Sequence, residues 1–144
     1  MTDAMKTVEV KVERTIPAPL EQVFDAWLDP KTPGTTWHIA DEYVLDAKVG
    51  GLFFWSIKGT SHYGRFTAVQ RPTKLQHTWM SPNTSGLESN VSVTFTKRGN
   101  ETLMTLVHSG LPDTNQGKGH EKGWNSFLGN FCERFSARAS VSAG

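Results

Sequence analysis

A stripe of large side chains at helical spacing dominates the C-terminal part of the chain. Its members are His120, Trp124, Phe127, Leu128, Phe131 and Phe135. The spacing predicts an amphipathic helix whose apolar face covers about four turns, at roughly 3.6 residues per turn. A face this wide and aromatic must pack against another large apolar surface, so the rest of the chain has to provide one.

The preceding chain supplies that surface as a series of predicted strands. Apolar and charged residues alternate between Val8 and Ile16, which is typical of a half-buried strand. The further predicted strands are Tyr43–Val49, Leu52–Lys58, His62–Val69, Lys74–Met80, Glu88–Lys97 and Glu101–His108. Glycine or proline turns separate most of them, and strands joined by short turns favour an antiparallel meander.

Between the first and second strands the chain changes to a helical pattern. Pro17 and Pro19 end the strand, and Pro19 suits the first turn of a helix. An apolar stripe at helical spacing follows, made of Leu20, Val23, Phe24 and Trp27. Asp29 and Pro30 end this helix, and residues 35–38 are predicted to form a short second helix or a turn.

These elements predict one α+β domain in which a curved antiparallel sheet wraps around a long C-terminal helix. The length of 144 residues fits a single domain spanning the whole chain, 1–144, with an ordered core of about residues 8–138. A strongly curved sheet cannot close tightly on a straight helix. The fold therefore predicts a pocket between the two, lined by side chains.

Charge and motif content exclude several kinds of function. A net charge of +1 gives no electrostatic basis for binding nucleic acid. The single cysteine, Cys132, cannot form an internal disulfide. The histidines lack the spacing of a metal site, so we expect no metal. We also expect no cofactor. Because the first residues contain no apolar run typical of a signal peptide or a membrane span, the predicted location is the cytoplasm.

Several stretches, taken in order, resemble one known family. They are Arg14–Trp27 (RTIPAPLEQVFDAW), Gly50-Gly51, Tyr63-Gly64 with Arg71-Pro72, Leu75–Trp79, and His108–Pro112 (HSGLP) followed by His120–Trp124 (HEKGW). This set is similar to the domain of activator-of-Hsp90-ATPase homologues, in the START/Bet v 1-like (SRPBCC) superfamily. The resemblance covers nearly the whole chain, from Val8 to Phe135.

The resemblance implies the helix-grip fold. This fold has an antiparallel sheet of about seven strands, two short helices after the first strand, and a long C-terminal helix across the concave face of the sheet. It also implies a hydrophobic cavity, but no single function. Members of the superfamily include lipid carriers, hormone receptors, polyketide cyclases and a co-chaperone domain.

The predicted ligand-binding residues come from both walls of the expected cavity and from the turn region after the first helix. They are Trp37, Phe53, Trp55, Ile57, Phe66, Leu75, His77, Trp79, Val93, Leu106, His108, Trp124, Phe127, Leu128 and Phe131. Plain core packing is the alternative interpretation of these side chains, and for Phe131 we prefer it. The indole N–H of Trp124 would need a hydrogen-bond partner if buried, which a ligand or a backbone carbonyl would supply.

Two histidines are the candidates for catalysis. His108 ends an apolar strand, where a neutral imidazole would orient a ligand or act as a general base. His77 is the second candidate. For His108 we prefer a structural role, in which its ring bonds the turn at residues 109–112.

Three hypotheses therefore remain open. The leading one is a non-covalent binder or carrier of a small hydrophobic or aromatic molecule. The second is an enzyme of cyclase, dehydratase or hydrolase type that uses a pocket histidine. The third is a chaperone-linked protein-interaction module. For each of them we expect a monomer or a weak homodimer.

Overall fold

The computed structural model describes residues 6–32 and 35–143, with no description of the side chains of residues 36, 37 and 136–143. The strands are β1 Thr7–Ile16, β2 Glu42–Leu45, β3 Leu52–Ile57, β4 Thr60–Gln70, β5 Lys74–Trp79, β6 Ser89–Arg98 and β7 Glu101–Pro112. The helices are α1 Leu20–Trp27, α2 Thr36–Ile39, α3 Asn115–Lys118 and α4 His120–Ala143, with a 3₁₀ turn at Pro82–Thr84.

All seven strands form one antiparallel sheet in the order β1-β7-β6-β5-β4-β3-β2. The sheet is curved, α1 and α2 follow β1, and α4 is 24 residues long. The predicted helix-grip architecture is therefore confirmed, including the two short helices after the first strand and the long C-terminal helix.

A tight turn sets the register of β3 and β4. Lys58 and Gly59 both have positive φ angles, 50° and 81°, as a two-residue hairpin loop that matches the strand twist requires. Ile57 therefore pairs with Thr60, and counting back along both strands pairs Trp55 with His62. Paired residues point to the same face of a sheet, so these two rings lie together on the concave side.

The last strand is longer than the sequence predicts. The prediction ends it at His108, but β7 continues to Pro112, and Leu111 pairs with Val8 of β1. Gly110 takes a φ of 75°, and the register of the β1 pairing shifts between Val8 and Val10. The positive φ of Gly110 and the bulge in the pairing with β1 thus allow the strand to continue past His108.

The core lies between the concave face of the sheet and the helices α1 and α4. Phe24 of α1 meets Phe95 of β6 edge-on, with ring centroids 5.2 Å apart. Trp27 meets Phe131 of α4 in the same geometry, also at 5.2 Å. Aromatic rings interlock in this way toward the C-terminal half of α4, so that part of the interior is filled.

Candidate functional site

A cavity of about 330 Å³ lies between the sheet and the N-terminal part of α4. Strands β3, β4 and β5 provide one wall, and α3, α4 and the segment between them provide the other. The 3₁₀ turn contributes one side chain. The residues that line the cavity are Trp55, His62, Trp79, Asn83, Gln116, Gly119, His120, Gly123, Trp124 and Phe127.

The sheet wall is a cluster of three buried aromatic side chains. The imidazole of His62 stacks on the indole of Trp55, with centroids 4.4 Å apart and an interplanar angle of 9°. Trp79 of β5 is tilted against both rings, at 5.9 Å from Trp55 and 4.9 Å from His62. Each of the three residues is less than a tenth exposed, so the protein encloses most of the surface of these rings.

Two glycines shape the helical wall of the cavity. Gly117 lets α3 pack closely on the end of β7, and Gly123 leaves space beside α4. A Cβ atom on Gly117 would lie 1.9 Å from the carbonyl oxygen of Pro112, so only glycine lets α3 pack this tightly on the end of β7. The hydroxyl of Thr114 caps α3 by accepting from the Gly117 amide at 3.0 Å. On α4, a Cβ atom on Gly123 would meet no atom within 4 Å, which leaves that side of the cavity open.

A directed chain of hydrogen bonds joins the two walls. The indole N–H of Trp124 donates to Nδ1 of His108 at 2.9 Å, so Nε2 of this neutral ring carries the proton. Nε2 then donates to Oγ of Ser89 at 2.7 Å, and this hydroxyl donates to the carbonyl oxygen of Trp79 at 2.7 Å. His108 is fully buried, and both of its ring nitrogens are occupied by these partners.

Burial lowers the pKa of each of the four histidines in this region. The pKa falls to about 4 at His62 and His77 and to about 2 at His108, and it is also lowered at His120. Burial is the largest cause in every case because a charged imidazole loses its hydration there. Mutual repulsion with His120 and His77 adds to the effect at His108. All four rings are therefore neutral at pH 7.

Three buried nitrogens of the sheet wall have no hydrogen-bond partner among the described residues. They are Nε1 of Trp55, Nδ1 of His62 and Nε1 of Trp79. An unsatisfied buried polar atom costs about 1–3 kcal/mol, and such atoms are uncommon in folded proteins. All three atoms belong to residues that line the same cavity, so the lack of hydrogen-bond partners is concentrated at this site.

The described residues that line the cavity carry no formal charge. None of the residues that line the cavity is a lysine, arginine, aspartate or glutamate, and the two histidines among them are neutral at pH 7 because burial lowers their pKa. Within residues 6–32 and 35–143, no three histidine, cysteine, aspartate or glutamate side chains lie together as a metal site requires. The site is thus suited to non-covalent contact with an uncharged, largely apolar molecule.

The structure divides the predicted ligand-binding residues into two groups. Those that line the cavity are Trp55, Trp79, Trp124 and Phe127. Those that lie elsewhere in the interior are Phe53, Ile57, Phe66, Leu75, His77, Val93, Leu106, His108, Leu128 and Phe131. The side chain of Trp37 lies outside the described part of the structure.

Side chains of the second group are packed within the interior away from the cavity. His77 stacks on Phe53 at a centroid distance of 4.3 Å, and its Nδ1–H donates to the carbonyl oxygen of Thr78 at 2.8 Å. His108 bonds Ser89 and Trp124 instead of the turn at residues 109–112. The aromatic face of the sheet thus continues beyond the cavity into packed core, which composition alone does not distinguish from cavity wall.

Six residues that line the cavity are absent from the predicted set. They are His62, Asn83, Gln116, Gly119, His120 and Gly123. His62 was within reach of sequence reasoning, since the turn at Lys58-Gly59 places it opposite Trp55. His120 and Gly123 lie on the predicted C-terminal helix, and His120 belongs to its predicted stripe. Asn83, Gln116 and Gly119 depend on how the 3₁₀ turn and α3 fold over the sheet, and the sequence does not predict α3.

Comparison with known proteins agrees with this architecture. The model of the family described as activator of Hsp90 ATPase homolog 1-like protein matches residues 17–136. No curated protein is significantly similar to the chain in sequence. No helix in the described part of the chain is long and apolar enough to cross a membrane.

Solved structures show the same fold. A Mesorhizobium loti protein is 23% identical over 90% of this chain and 98% of its own, with a TM-score of 0.78. An HSP90 activator from Plasmodium falciparum is 24% identical over 95% and 97% of the two chains, with a TM-score of 0.70. The Aha1 dimer of Colwellia psychrerythraea, solved in solution, is 16% identical over 89% and 96%, with a TM-score of 0.71.

Proposed function

The chain belongs to the family of activator of Hsp90 ATPase homolog 1-like proteins, and on that premise we propose that it binds and carries a small hydrophobic or aromatic molecule. The molecule would occupy the cavity between β3–β5 and the start of α4. The observation that supports this most is the uncharged aromatic lining of a cavity about 330 Å³ in volume. Burial of apolar surface there would supply affinity, at roughly 25 cal/mol per Å² before the cost of association.

The ligand-binding hypothesis has more support than the enzyme hypothesis. A general base needs a free ring nitrogen within reach of the substrate proton. Both ring nitrogens of His108 have protein partners, and its lowered pKa of about 2 is far from the operating range of a base at pH 7. His77 is buried against Phe53 and does not line the cavity.

Two glycines on α4 provide a matched test. Gly123 lines the cavity, whereas Gly129 does not, and a side chain at either position would meet no atom within 4 Å of its Cβ. We expect naphthalene to shift the backbone amide NMR signals of the residues that line the cavity. Gly123→Leu should weaken naphthalene binding at least about tenfold, a change of about 1.4 kcal/mol, because the new side chain occupies the cavity.

Gly129→Leu is the control, since it adds the same side chain to the same helix away from the cavity. It should bind naphthalene as the unchanged protein does. Flavone and oleate would be tested in parallel, to cover larger aromatics and lipids. Absence of binding by all three compounds, or equal loss of binding in both variants, would contradict the proposed function.

A further inference from the structure

We propose that the ligand of this cavity is a neutral aromatic compound that carries a hydrogen-bond-accepting oxygen, such as an aryl ketone, and that this oxygen accepts hydrogen bonds from the unpartnered indole nitrogens of Trp55 and Trp79. The inference rests on the proposed function and specifies the chemistry of the molecule bound. A plain hydrocarbon would fill the cavity but leave those nitrogens unsatisfied.

The unpartnered hydrogen-bond donors of the sheet wall require an acceptor. An indole nitrogen donates one hydrogen bond and accepts none. Nε1 of Trp55 and Nε1 of Trp79 are both buried without a protein acceptor, and the two residues line the same cavity. Nδ1 of His62 donates or accepts according to its tautomer, and against the effect of burial, hydrogen bonding to the backbone of Trp55 and Thr60 raises the pKa of this ring. The requirement for an acceptor therefore rests on the two indoles. A carbonyl oxygen, with two lone pairs, satisfies up to two of these donors at once.

A comparison with Trp124 shows that the missing partners are specific to the sheet wall. Trp124 lines the same cavity from the helix side, and its indole N–H donates to His108 at 2.9 Å. Its hydrogen-bonding capacity is therefore used within the protein. The acceptor group of the ligand should consequently point toward β3 and β5, and its apolar edge toward Trp124 and Phe127.

The absence of charge at the cavity walls selects a neutral acceptor. A carboxylate transferred there would lose its hydration without gaining a cation, since no lysine or arginine lines the cavity. The neutral imidazoles of His62 and His120 cannot replace one at pH 7. A ketone, quinone or aryl ether oxygen loses much less hydration and makes the same hydrogen bonds.

Access to the indole nitrogens involves a side-chain movement. Both nitrogens are buried in the structure, so the proposal requires each indole ring to turn toward the cavity when the ligand binds. The ring of Trp55 has Phe127 edge-on at 6.1 Å on the cavity side. Ligand binding should therefore change the environment of these indoles more than that of Trp124.

Three naphthalene derivatives of similar shape separate the possibilities. They are 2-acetylnaphthalene, which carries a neutral acceptor, 2-isopropylnaphthalene, which carries none, and 2-naphthoate, which carries an anionic one. We expect the ketone to bind roughly fivefold tighter than the hydrocarbon, as one or two net hydrogen bonds imply, and the carboxylate to bind weakest. Affinities are measured by titration followed in ¹H–¹⁵N NMR spectra.

The indole N–H signals give a direct second readout. The ketone should move the Hε1 signal of Trp55 or Trp79 downfield, while the Trp124 signal, already hydrogen-bonded, serves as the internal reference. Trp55→Phe and Trp79→Phe should each lower the ratio of the affinity for the ketone to the affinity for the hydrocarbon.

The outcomes are distinguishable. If the hydrocarbon binds as tightly as the ketone, or if the carboxylate binds tightest, the ligand chemistry proposed here is wrong while the binding function stands. If none of the three compounds binds, the ligand chemistry proposed here fails, and the binding function fails with it only when naphthalene, flavone and oleate also do not bind. Because the ranking is measured on the unchanged protein, it holds even if a tryptophan variant does not fold.

Discussion

At the scale of single residues, the buried tryptophans differ in whether the indole N–H has a hydrogen-bond partner, which the sequence does not show. The indole of Trp124 is bonded to His108, whereas those of Trp55 and Trp79 have no partner among the described residues. His108 depends on Trp124 in turn, because no other donor among the described residues bonds to its Nδ1. Removal of the same chemical group should therefore have different effects at different positions.

Trp124→Phe should destabilise the protein more than Trp55→Phe does. Both changes remove an indole N–H and a similar apolar area, but only the first leaves Nδ1 of the buried His108 unpaired. We expect the free energy of unfolding to differ between the variants by about 1–3 kcal/mol, measured by urea denaturation followed by circular dichroism. Equal stabilities would mean that the bond between Trp124 and His108 contributes nothing.

At the scale of elements, the sequence predicts the long strands and the terminal helix well because their periodicity is strong. β1, β6 and α4 follow clear patterns of two or about 3.6 residues. The sequence does not predict α3, since Asn115–Lys118 has no apolar stripe and forms through the Thr114 cap and the close approach of Gly117 to Pro112. The part of the site that α3 positions was therefore missed as well.

The same distinction explains why the sheet wall was predicted only in part. Alternation separates the two faces of each strand, and the family resemblance assigns the face of Trp55 to the cavity. The same alternation also points Phe53, Leu75 and His77 inward. Which inward residues border open space depends on how far α4 lies from each strand. That distance is a property of the assembled fold and leaves no mark in local sequence.

Within α4, Gly129 offers a stability test. Glycine inside a helix is less favourable than alanine by about 1 kcal/mol, and a Cβ at this position meets nothing within 4 Å. Gly129→Ala should raise the free energy of unfolding by up to about 1 kcal/mol, measured by urea denaturation. An unchanged or lower value would indicate that the flexibility of glycine is needed at this point of the helix.

At the scale of the whole molecule, buried neutral histidines make stability depend on pH. Burial lowers the pKa of His62 and His77 from 6.5 to about 4 and that of His108 to about 2. In the unfolded chain the same rings titrate near their ordinary value. Between these limits the unfolded chain binds more protons than the folded one, so acid favours unfolding.

The free energy of unfolding should accordingly be nearly constant above pH 7 and fall as the pH decreases from about 6.5 to 4. Each histidine contributes about 1.4 kcal/mol per pH unit within its window, so the total loss by pH 5 is on the order of several kcal/mol. Urea denaturation at a series of pH values measures this. His77→Phe should make the slope shallower by one residue's share, and a flat profile for the unchanged protein would contradict the prediction.

The bare position at Gly123 has an evolutionary consequence. Gly123 lines the cavity, and a side chain at this position would contact no core residue with its Cβ. A single codon change there would therefore make the cavity smaller without disturbing the packing of the core. Related proteins could thus diverge in the size of the molecules they accept while the scaffold stays the same. The size of the accepted molecule would then depend on residues such as Gly123, and the stability of the fold on the residues of the core.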